Sequence, residues 1–435
     1  MYELPNNIKE LAELTDSFFN IESKSPSEIV NAALDGIKKS KINVRNFFDL
    51  IENSALVNGP QHSKFYCQIL QVFTKVIQVD QENLNSELIK HLKNYQQPPD
   101  TEEMCLKKMI MYDDIGNFIN YINDTNEFFK KVNATELLIS CARSGAINIF
   151  KYLIVNDIMK KVDKTKLFLS DAIRGKNSEI IHEFEKYVYV TEIDMQSVYF
   201  FHDRIFIDYL HDKYDFNYKP YYALRYRDLK LFIEQFEQTP IEKGKIIIKY
   251  LKCAIQSGFV IIIQYFLDQL LAIQDCFDNL YHRYTKVVNL AIEERYPNIL
   301  NMLMDFSKKF NFKNKIYPDV NEAFETYSET IFIEVLKYYE KGDMQNGDTD
   351  WDVFQYVYQN FSSKSVEMLI KNGFYDIEDV YYCMENCNYV AMELFAKHGF
   401  DFSLVMNPDF SKRFGWMSNQ LLNFIVQLKK KYPIK

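Results

Sequence analysis

"CARSGAINIFKYL" (141–153) contains the unit that this chain repeats: a small residue, Ala142, then a turn signal with glycine, then an apolar run. The stretches "AIRGKNSEIIHEF" (172–184) and "CAIQSGFVIIIQYF" (253–266) have the same order. Alanine leaves room for two helices to approach each other closely. The order therefore predicts a first short helix that ends near the alanine, a polar turn, and a second helix that carries the apolar run.

The apolar anchors of these second helices recur along the chain, most of them 31 to 37 residues apart and two at shorter spacings. The anchors are Ile122, Leu153, Phe184, Leu210, Ile233, Phe266, Leu303, Leu336, Leu369 and Phe395. Small residues precede many of them, namely Ala142, Ala172, Ala223, Ala254 and Ala291. Such a period is typical of stacked units that bury their apolar faces only against neighbouring units. The sequence therefore predicts an all-α helical-repeat solenoid of about ten helix pairs over residues 101–410.

Regions without this period flank the repeats. Residues 1–95 contain five amphipathic stretches and predict a separate helical N-terminal region. One stretch opens with Ser25 and Glu28 at the spacing of a capping box. The prolines of "QQPPD" (96–100) mark the break before the repeats, because consecutive prolines end a helix. Residues 411–435 predict a final helix that caps the last repeat, as a solenoid requires.

Composition limits the classes of partner. The 435 residues carry a net charge of −9 and include only 12 glycines. An acidic chain lacks the basic stripe of a nucleic-acid or anionic-membrane binder, so neither partner is favoured. Scarce glycine also argues against long β-hairpin fingers between repeats.

Cysteine usage and hydropathy indicate the compartment. The seven cysteines are odd in number and dispersed through helical stretches, which indicates reduced thiols inside the cell. The first twenty residues lack a secretory signal, and the longest apolar stretch, 259–273, is too short and too polar to span a bilayer. We expect a soluble, cytoplasmic protein without membrane insertion.

Motifs for catalysis are absent. The sequence contains no GxSxG, HExxH, GK[ST] or GxGxxG pattern. His202 and His211 are nine residues apart, which does not match the i, i+4 spacing of a metal pair. Cys383 and Cys387 are one helical turn apart, and we interpret them as thiols on a helix face. We therefore expect no enzymatic activity, no cofactor, no metal and no small-molecule substrate. A deep pocket with several convergent titratable groups would favour an enzyme instead.

The period, the alanine before a glycine turn and the endings "NIFKYLIVND" (148–157), "MLIKNGF" (368–374) and "LFAKHGFDF" (394–402) resemble ankyrin repeats. More specifically, residues 102–270 resemble a divergent ankyrin-type domain of unknown function, found in large protein families of parasitic flagellate protists and in some giant viruses. The matching stretches are "IMYDDIGNFINYI" (110–122), "CARSGAINIFKYL" (141–153) and "DKYDFNYKPYYALRYRDLKLFIEQFEQT" (212–239). The resemblance implies ankyrin-like helix pairs and protein–protein binding, without naming a ligand. The Thr-Pro-Leu-His opening of the usual ankyrin repeat does not occur, so we expect reduced or absent β-hairpin fingers.

The stretch "YYALRYRDLKLF" (221–232) is the candidate for partner binding. Its aromatic and guanidinium groups exceed what one helix can bury, and Tyr and Arg are enriched at interface hot spots. The candidate residues are Tyr221, Tyr222, Arg225, Tyr226 and Arg227. The alternative is that the tyrosines pack between repeats and the arginines pair with neighbouring acids.

These observations predict a non-catalytic scaffold that binds an unidentified partner protein along the concave face of an ankyrin-like solenoid. The alternative function is a helical-repeat binder of single-stranded nucleic acid, since repeats of similar length also bind RNA. RNA binding would show steep salt dependence, and a concave face lined by acids would exclude it.

Overall fold

The protein is helical throughout the part of the chain that its computed structural model describes. The described residues are 4–21, 24–59, 62–76, 102–125, 128–238, 244–272, 280–310, 312, 315–339, 352–375, 377–404 and 419–433. Within these ranges the regular secondary structure consists of α-helices and short 3₁₀ segments, and it contains no β-strand. The predicted all-α class is confirmed.

Helices α1 to α4 come first in the described residues. They are α1 (Asn6–Phe19), α2 (Pro26–Lys38), α3 (Val44–Asn58) and α4 (Ser63–Val76). The predicted capping box is present at the start of α2: the Glu28 N–H donates to Ser25 Oγ at 3.3 Å, and the Ser25 N–H donates to Glu28 Oε2 at 2.7 Å. These bonds satisfy N–H groups that the first helical turn leaves open. The fifth predicted N-terminal helix and the prolines of 96–100 lie outside the described residues.

Ten pairs of helices follow within the described ranges, each with a first and a second helix joined by a short turn. Pairs 1 to 5 are Glu102–Met111 with Ile115–Asp124, Ala134–Ser144 with Ile147–Val155, Leu169–Arg174 with Ser178–Phe184, Glu192–Phe200 with Arg204–Tyr214, and Pro220–Arg225 with Leu229–Phe236. Pairs 6 to 10 are Gly244–Ser257 with Val260–Ala272, Tyr281–Glu293 with Pro297–Phe310, Val320–Glu325 with Glu329–Leu336, Asp352–Asn360 with Ser363–Asn372, and Ile377–Glu385 with Tyr389–Lys397. The remaining elements are the short helix Phe128–Lys131, the 3₁₀ segments Ile158–Lys160 and Lys164–Lys166, and the C-terminal helix Asn419–Lys431.

A residue in the left-handed conformation closes the turn inside most pairs. These residues are Asp113, Gly145, Lys176, His202, Arg227, Gly258, Arg295, Tyr327 and Cys387, with φ between 51° and 76°. In several turns the next N–H donates to the carbonyl five residues earlier, as from Asp228 to Ala223 at 2.9 Å. This is the Schellman bond that satisfies the end of the first helix. The repeated turn explains the periodic turn signals in the sequence.

The predicted small residues and anchors lie in the core. Ala142, Ala172, Ala223, Ala254 and Ala291 are all fully buried. The apolar anchors are buried too, except for Ile122 and Ile233, which are half-buried. Phe118 and Phe236 are fully buried in the helices that carry these two anchors. The periodicity therefore identified the buried side of the second helices. In pairs 1 and 5 the fully buried residue is Phe118 or Phe236 instead of the predicted anchor.

Aromatic rings fill the space between pairs 5 and 6. Tyr250 stacks on Phe266 with ring centroids 5.3 Å apart, and Phe236 meets Tyr250 edge-on at 5.2 Å. Phe232 and Phe236 add further edge contacts to Phe266. Buried rings in edge and offset arrangements contribute beyond their buried area. This packing accounts for part of the high Phe and Tyr content.

The chain forms two compact units, residues 1–266 and 267–435. In the first unit, α1 packs against the second helix of pair 5. In the second unit, the C-terminal helix packs against the second helix of pair 10, where Phe424 meets Tyr389 edge-on at 4.7 Å. Across the described ranges, every helix is too short or too polar to cross a membrane.

Candidate protein-binding face

The stretch predicted to bind a partner lies at pair 5, and the structure divides it between two surfaces. Tyr221, Tyr222 and Arg225 share one side of the first helix, because positions three and four apart are neighbours on a helix. Tyr226 is the C-terminal cap of this helix. Arg227 follows in the left-handed conformation and contacts the N-terminal helices instead. The binding role of these five residues stays a prediction.

Tyr222 is tied to pair 4. Its hydroxyl donates to Glu192 Oε1 at 3.0 Å, and Lys219 Nζ donates to both carboxylate oxygens of Glu192 at 2.5 Å. Burial alone would raise the pKa of Glu192, but the hydrogen bonds from Lys219 and Tyr222 outweigh it and lower the pKa. The Glu192 carboxylate is therefore ionised, and its charge is neutralised by a cation beside it.

Tyr221 contacts pair 6. The Lys249 ammonium lies 3.6 Å from the centre of the Tyr221 ring, which is a close cation–π contact. The Tyr221 ring meets the Tyr222 ring edge-on, with centroids 4.5 Å apart. The two adjacent tyrosines therefore connect the first helices of pairs 4, 5 and 6.

Arg225 keeps its hydrogen-bonding capacity free. Its guanidinium carbon lies 5.6 Å from the centre of the Tyr226 ring, and Phe200 of pair 4 meets that ring edge-on at 5.3 Å. Within the described part of the chain, the guanidinium makes no hydrogen bond and no ion pair. A half-exposed arginine held over a ring has its planar set of donors available for a partner.

These contacts define a continuous surface on three neighbouring first helices. This first-helix patch consists of Phe200, Tyr221, Tyr222, Arg225, Tyr226, Lys249 and Lys252. The first helix of pair 5 packs against the first helices of pairs 4 and 6. Sequence reasoning missed Phe200, Lys249 and Lys252. The spacing of the repeats could have identified these three residues. First helices that lie side by side place their equivalent exposed positions on one face.

A buried thiol lies beneath the three cations of the patch. Burial raises the pKa of Cys253 to about 11, although Arg225, Lys249 and Lys252 each act to lower it. The thiol is therefore protonated near neutral pH and is a poor nucleophile. Lys249 and Lys252 are three positions apart on Gly244–Ser257, so they are neighbours on one side of that helix.

The N-terminal helices cover a different surface, the turns of pairs 4 to 6. The Asn46 side-chain amide donates to the buried Gly258 carbonyl at 3.2 Å, and the Phe19 ring lies on the His202 ring with centroids 4.1 Å apart. Arg227, whose side chain is only 12% exposed, pairs with Asp49 at 3.3 Å. Pairing with a neighbouring acid is the alternative given above for the arginines, and it describes Arg227. Further ion pairs join Lys230 to Asp16 and Glu13, and Lys9 to Glu237.

A cleft of about 580 Å³ remains beside these contacts, between α1, the end of α3 and the turns of pairs 3 to 5. Its charged and polar lining consists of Asp16, Asn20, Asn58, Lys176, His202, Asp203, Arg204, Arg227, Asp228 and Lys230. Most of these groups already bind one another: Arg204 Nη2 lies 2.9 Å from Asp228, and Lys230 Nζ lies 2.9 Å from Asp16. The Lys230–Asp16 pair joins α1 to pair 5, and the Arg204–Asp228 pair joins pair 4 to pair 5, so these charges have structural contacts within the first unit.

A second dense cluster joins pairs 3 and 4. The nearly buried Glu185 carboxylate accepts hydrogen bonds from Tyr214 at 2.8 Å, Tyr209 at 2.9 Å and Lys213 at 3.0 Å, and it lies 3.0 Å from His182 Nδ1. Burial alone would raise the pKa of Glu185, but these hydrogen bonds outweigh it and lower the pKa. One carboxylate thus connects groups from both second helices, which is a structural role.

In the ranges that the structure describes, no group of three His, Cys, Asp or Glu side chains is placed to hold an ion, and the expected absence of a metal stays a prediction. Cys383 is buried and Cys387 is exposed, and burial raises the pKa of the Cys383 thiol. The helix that contains Cys383 ends at Glu385, and Cys387 lies in the following turn in the left-handed conformation, so the two thiols do not share a helix face.

Together the fold and the patch define an all-α protein built from repeated helix pairs. A family model described as a domain of unknown function (DUF3447) matches residues 159–235, which run from the 3₁₀ segment after pair 2 into the second helix of pair 5. This domain is known to occur in ankyrin-repeat proteins. No curated protein and no solved structure matches the chain.

Proposed function

We propose that the chain is a non-catalytic, cytoplasmic scaffold whose helix pairs form an ankyrin-like solenoid and bind a partner protein through the first-helix patch. In such a solenoid the first helices line the concave face. The match to a domain known from ankyrin-repeat proteins supports the repeat assignment, as do the ten described helix pairs and their recurring left-handed turns.

The observation that carries the proposal is the contrast between two surfaces of the first unit. The turns of pairs 4 to 6 are covered by α1 and α3. The first helices of the same pairs expose rings and cations that are held in place by contacts within the patch. Pre-positioned aromatic and arginine side chains lower the entropy cost of binding, and they are the residues that dominate interface energetics.

The state of the thiols and carboxylates supports a non-catalytic role. Burial raises the pKa values of Cys141, Cys253 and Cys383, which keeps these thiols protonated. The Glu185 carboxylate, the most heavily hydrogen-bonded acid described above, is saturated by groups of its own chain. A catalytic base needs a free position toward a substrate, which such a carboxylate lacks.

The test is a direct binding measurement with a patch variant. Tyr221→Ala combined with Arg225→Ala removes one ring and the free guanidinium and retains Lys219, Tyr222 and Glu192, although Tyr222 loses its edge contact with Tyr221. A partner identified by cross-linking to the wild-type chain is purified and titrated by calorimetry against both proteins. We expect binding to weaken by about tenfold or more, the size typical of hot-spot truncation.

A matched control removes the same residue types elsewhere. Tyr189 is 95% exposed, and Arg283 is exposed on the first helix of pair 7. The combination Tyr189→Ala with Arg283→Ala should leave the affinity unchanged. Equal effects of the two double variants, or full affinity in the patch variant, would refute the assignment of the patch.

A further inference from the structure

We infer that the first-helix patch recognises an acidic peptide segment of its partner, with partner carboxylates bound by Arg225, Lys249 and Lys252 and apolar groups packed against the tyrosine rings. This inference rests on the proposed function, because it specifies the chemistry of the partner at the same surface. Four observations about charge and ring geometry carry it.

The first observation is the excess of positive charge. Lys219, Arg225, Lys249 and Lys252 lie on pairs 5 and 6 around the patch, and Glu192 of pair 4 interacts with Lys219 and Lys249. Lys219 already neutralises Glu192 through a bidentate contact, so the three cations Arg225, Lys249 and Lys252 exceed the negative charge that Glu192 supplies. The whole chain has a net charge of −9, so this local surface has the opposite sign to the molecule around it.

The second observation is that these cations are available. The structure shows no hydrogen bond or ion pair to Arg225, Lys249 or Lys252 from the residues it describes. A guanidinium forms planar bidentate bonds with a carboxylate, and a lysine ammonium offers three donors. Unsatisfied cations on a rigid helix surface are suited to carboxylates that arrive with a partner.

The third observation is the position of the cations over the rings. Lys249 lies above Tyr221, and Arg225 lies above Tyr226. The cation–π contacts fix the direction of each charged group and leave its outward donors for a ligand. A carboxylate bound there would lie next to aromatic ring edges, so a segment with alternating acidic and apolar residues fits the patch best.

The fourth observation separates a peptide from RNA. Proteins that bind single strands without base pairing use exposed aromatic faces on which bases stack. In the patch, one face of Tyr221 is covered by Lys249, the Tyr222 hydroxyl is bound to Glu192, and Tyr226 contacts both Arg225 and Phe200. These rings orient cations rather than offering open stacking platforms.

The experiment measures fluorescence anisotropy of labelled probes with the full chain. Three degenerate peptide pools have Phe and Leu at the same fixed positions. The other positions are Asp or Glu in the acidic pool, Asn or Gln in the neutral pool, and Lys or Arg in the basic pool. Labelled oligouridine is the fourth probe. The test variant is Arg225→Glu with Lys249→Glu. The control is Arg283→Glu with Lys286→Glu, which makes the same change of net charge on exposed residues of pair 7.

We expect the acidic pool to bind more tightly than the neutral pool and the basic pool to bind least. The test variant should weaken binding of the acidic pool by about tenfold or more and improve binding of the basic pool, and the control variant should change neither. The neutral pool could instead bind as tightly as the acidic pool, with Tyr221→Ala abolishing this binding. That result would overturn the acidic specificity and leave the binding face intact. Tight oligouridine binding that the test variant abolishes would overturn the peptide proposal together with the proposed function. If none of the probes binds, the inference is also wrong.

Discussion

Replacing Gly175 by alanine tests how closely the turns of pairs 2 and 3 pack. Gly175 has φ −76° and ψ −8°, a conformation open to any residue, so the cost of a side chain here is steric. A Cβ atom would lie 2.0 Å from the Ala142 carbonyl oxygen and 2.6 Å from the Gly145 nitrogen, whereas real Cβ atoms essentially never approach closer than 3.0 Å. Both contacts are backbone atoms, so no rotamer change relieves them, and the turns must separate by about 1 Å.

We expect Gly175→Ala to reduce the free energy of unfolding by about 1 kcal/mol. Overpacking typically costs about 1–3 kcal/mol, and removal of a flexible glycine recovers about 0.4–1 kcal/mol. Urea unfolding followed by far-ultraviolet circular dichroism measures the total. Because arrays of repeats unfold in parts, hydrogen exchange over residues 134–184 shows whether the loss is confined to pairs 2 and 3.

Gly116→Ala is the matched control for this prediction. Gly116 is exposed in the first turn of Ile115–Asp124, and the nearest atom to an added Cβ would be Asp114 Oδ1 at 3.7 Å. The substitution should raise stability by about 0.5 kcal/mol, because alanine is the better helix former. If Gly175→Ala proves as stable as Gly116→Ala, consecutive turns are not in backbone contact, and the close stacking of these pairs is refuted.

Three further predictions concern the docked N-terminal helices and the Glu185 cluster. Burial lowers the pKa of the His202 imidazole from its usual 6.5. The state in which α1 has separated from the repeats, with His202 exposed, therefore binds a proton more readily, and docking of α1 should weaken as the pH falls below about 6.5. His202→Asn, which tolerates the left-handed conformation, should lack this dependence when hydrogen exchange of residues 6–19 is compared at pH 7 and at lower pH. Glu185→Gln should cost about 1–3 kcal/mol at pH 7, and the difference from wild type in urea unfolding should shrink as acid protonates a carboxyl whose pKa is lowered from 4.5. Asn46→Ala should cost about 1 kcal/mol or more, because it removes the buried bond to Gly258 and the bond that Asn46 Oδ1 accepts from the Asn43 N–H at the start of α3. Protease cleavage of the N-terminal helices should accelerate by about fivefold or more.

Local patterns made the helix pairs predictable. Ala142 and Ala254 are visible in the sequence because each precedes a turn signal by two to four residues, and both prove fully buried. The Ser25 capping box was equally readable, since all its contacts span three residues. Features of this kind depend on neighbours along the chain, and neighbours are what a single sequence displays.

The docking of the N-terminal helices was not predictable in this way. The bond from Asn46 to Gly258 spans 212 residues, and the ion pair between Asp49 and Arg227 spans 178. A surface aspartate that will pair with a distant arginine has the same local pattern as any solvated acid. For the same reason Arg227 was grouped with Arg225, although its guanidinium contacts the opposite side of pair 5.

Two of the non-glycine turns make contacts in the same docking. A residue other than glycine in the left-handed conformation costs about 1 kcal/mol, so glycine is the expected residue in the turns. At pair 2 the turn has Gly145, which the Gly175 backbone contacts too closely to admit a side chain. Where α1 and α3 dock, the turns instead have His202 and Arg227, whose side chains supply the stacking on Phe19 and the ion pair with Asp49. Glycine could make neither contact. The docked helices therefore account for the residue types at these two turns, whereas at pair 6 Asn46 binds the backbone carbonyl of Gly258, a contact that needs no side chain in the turn.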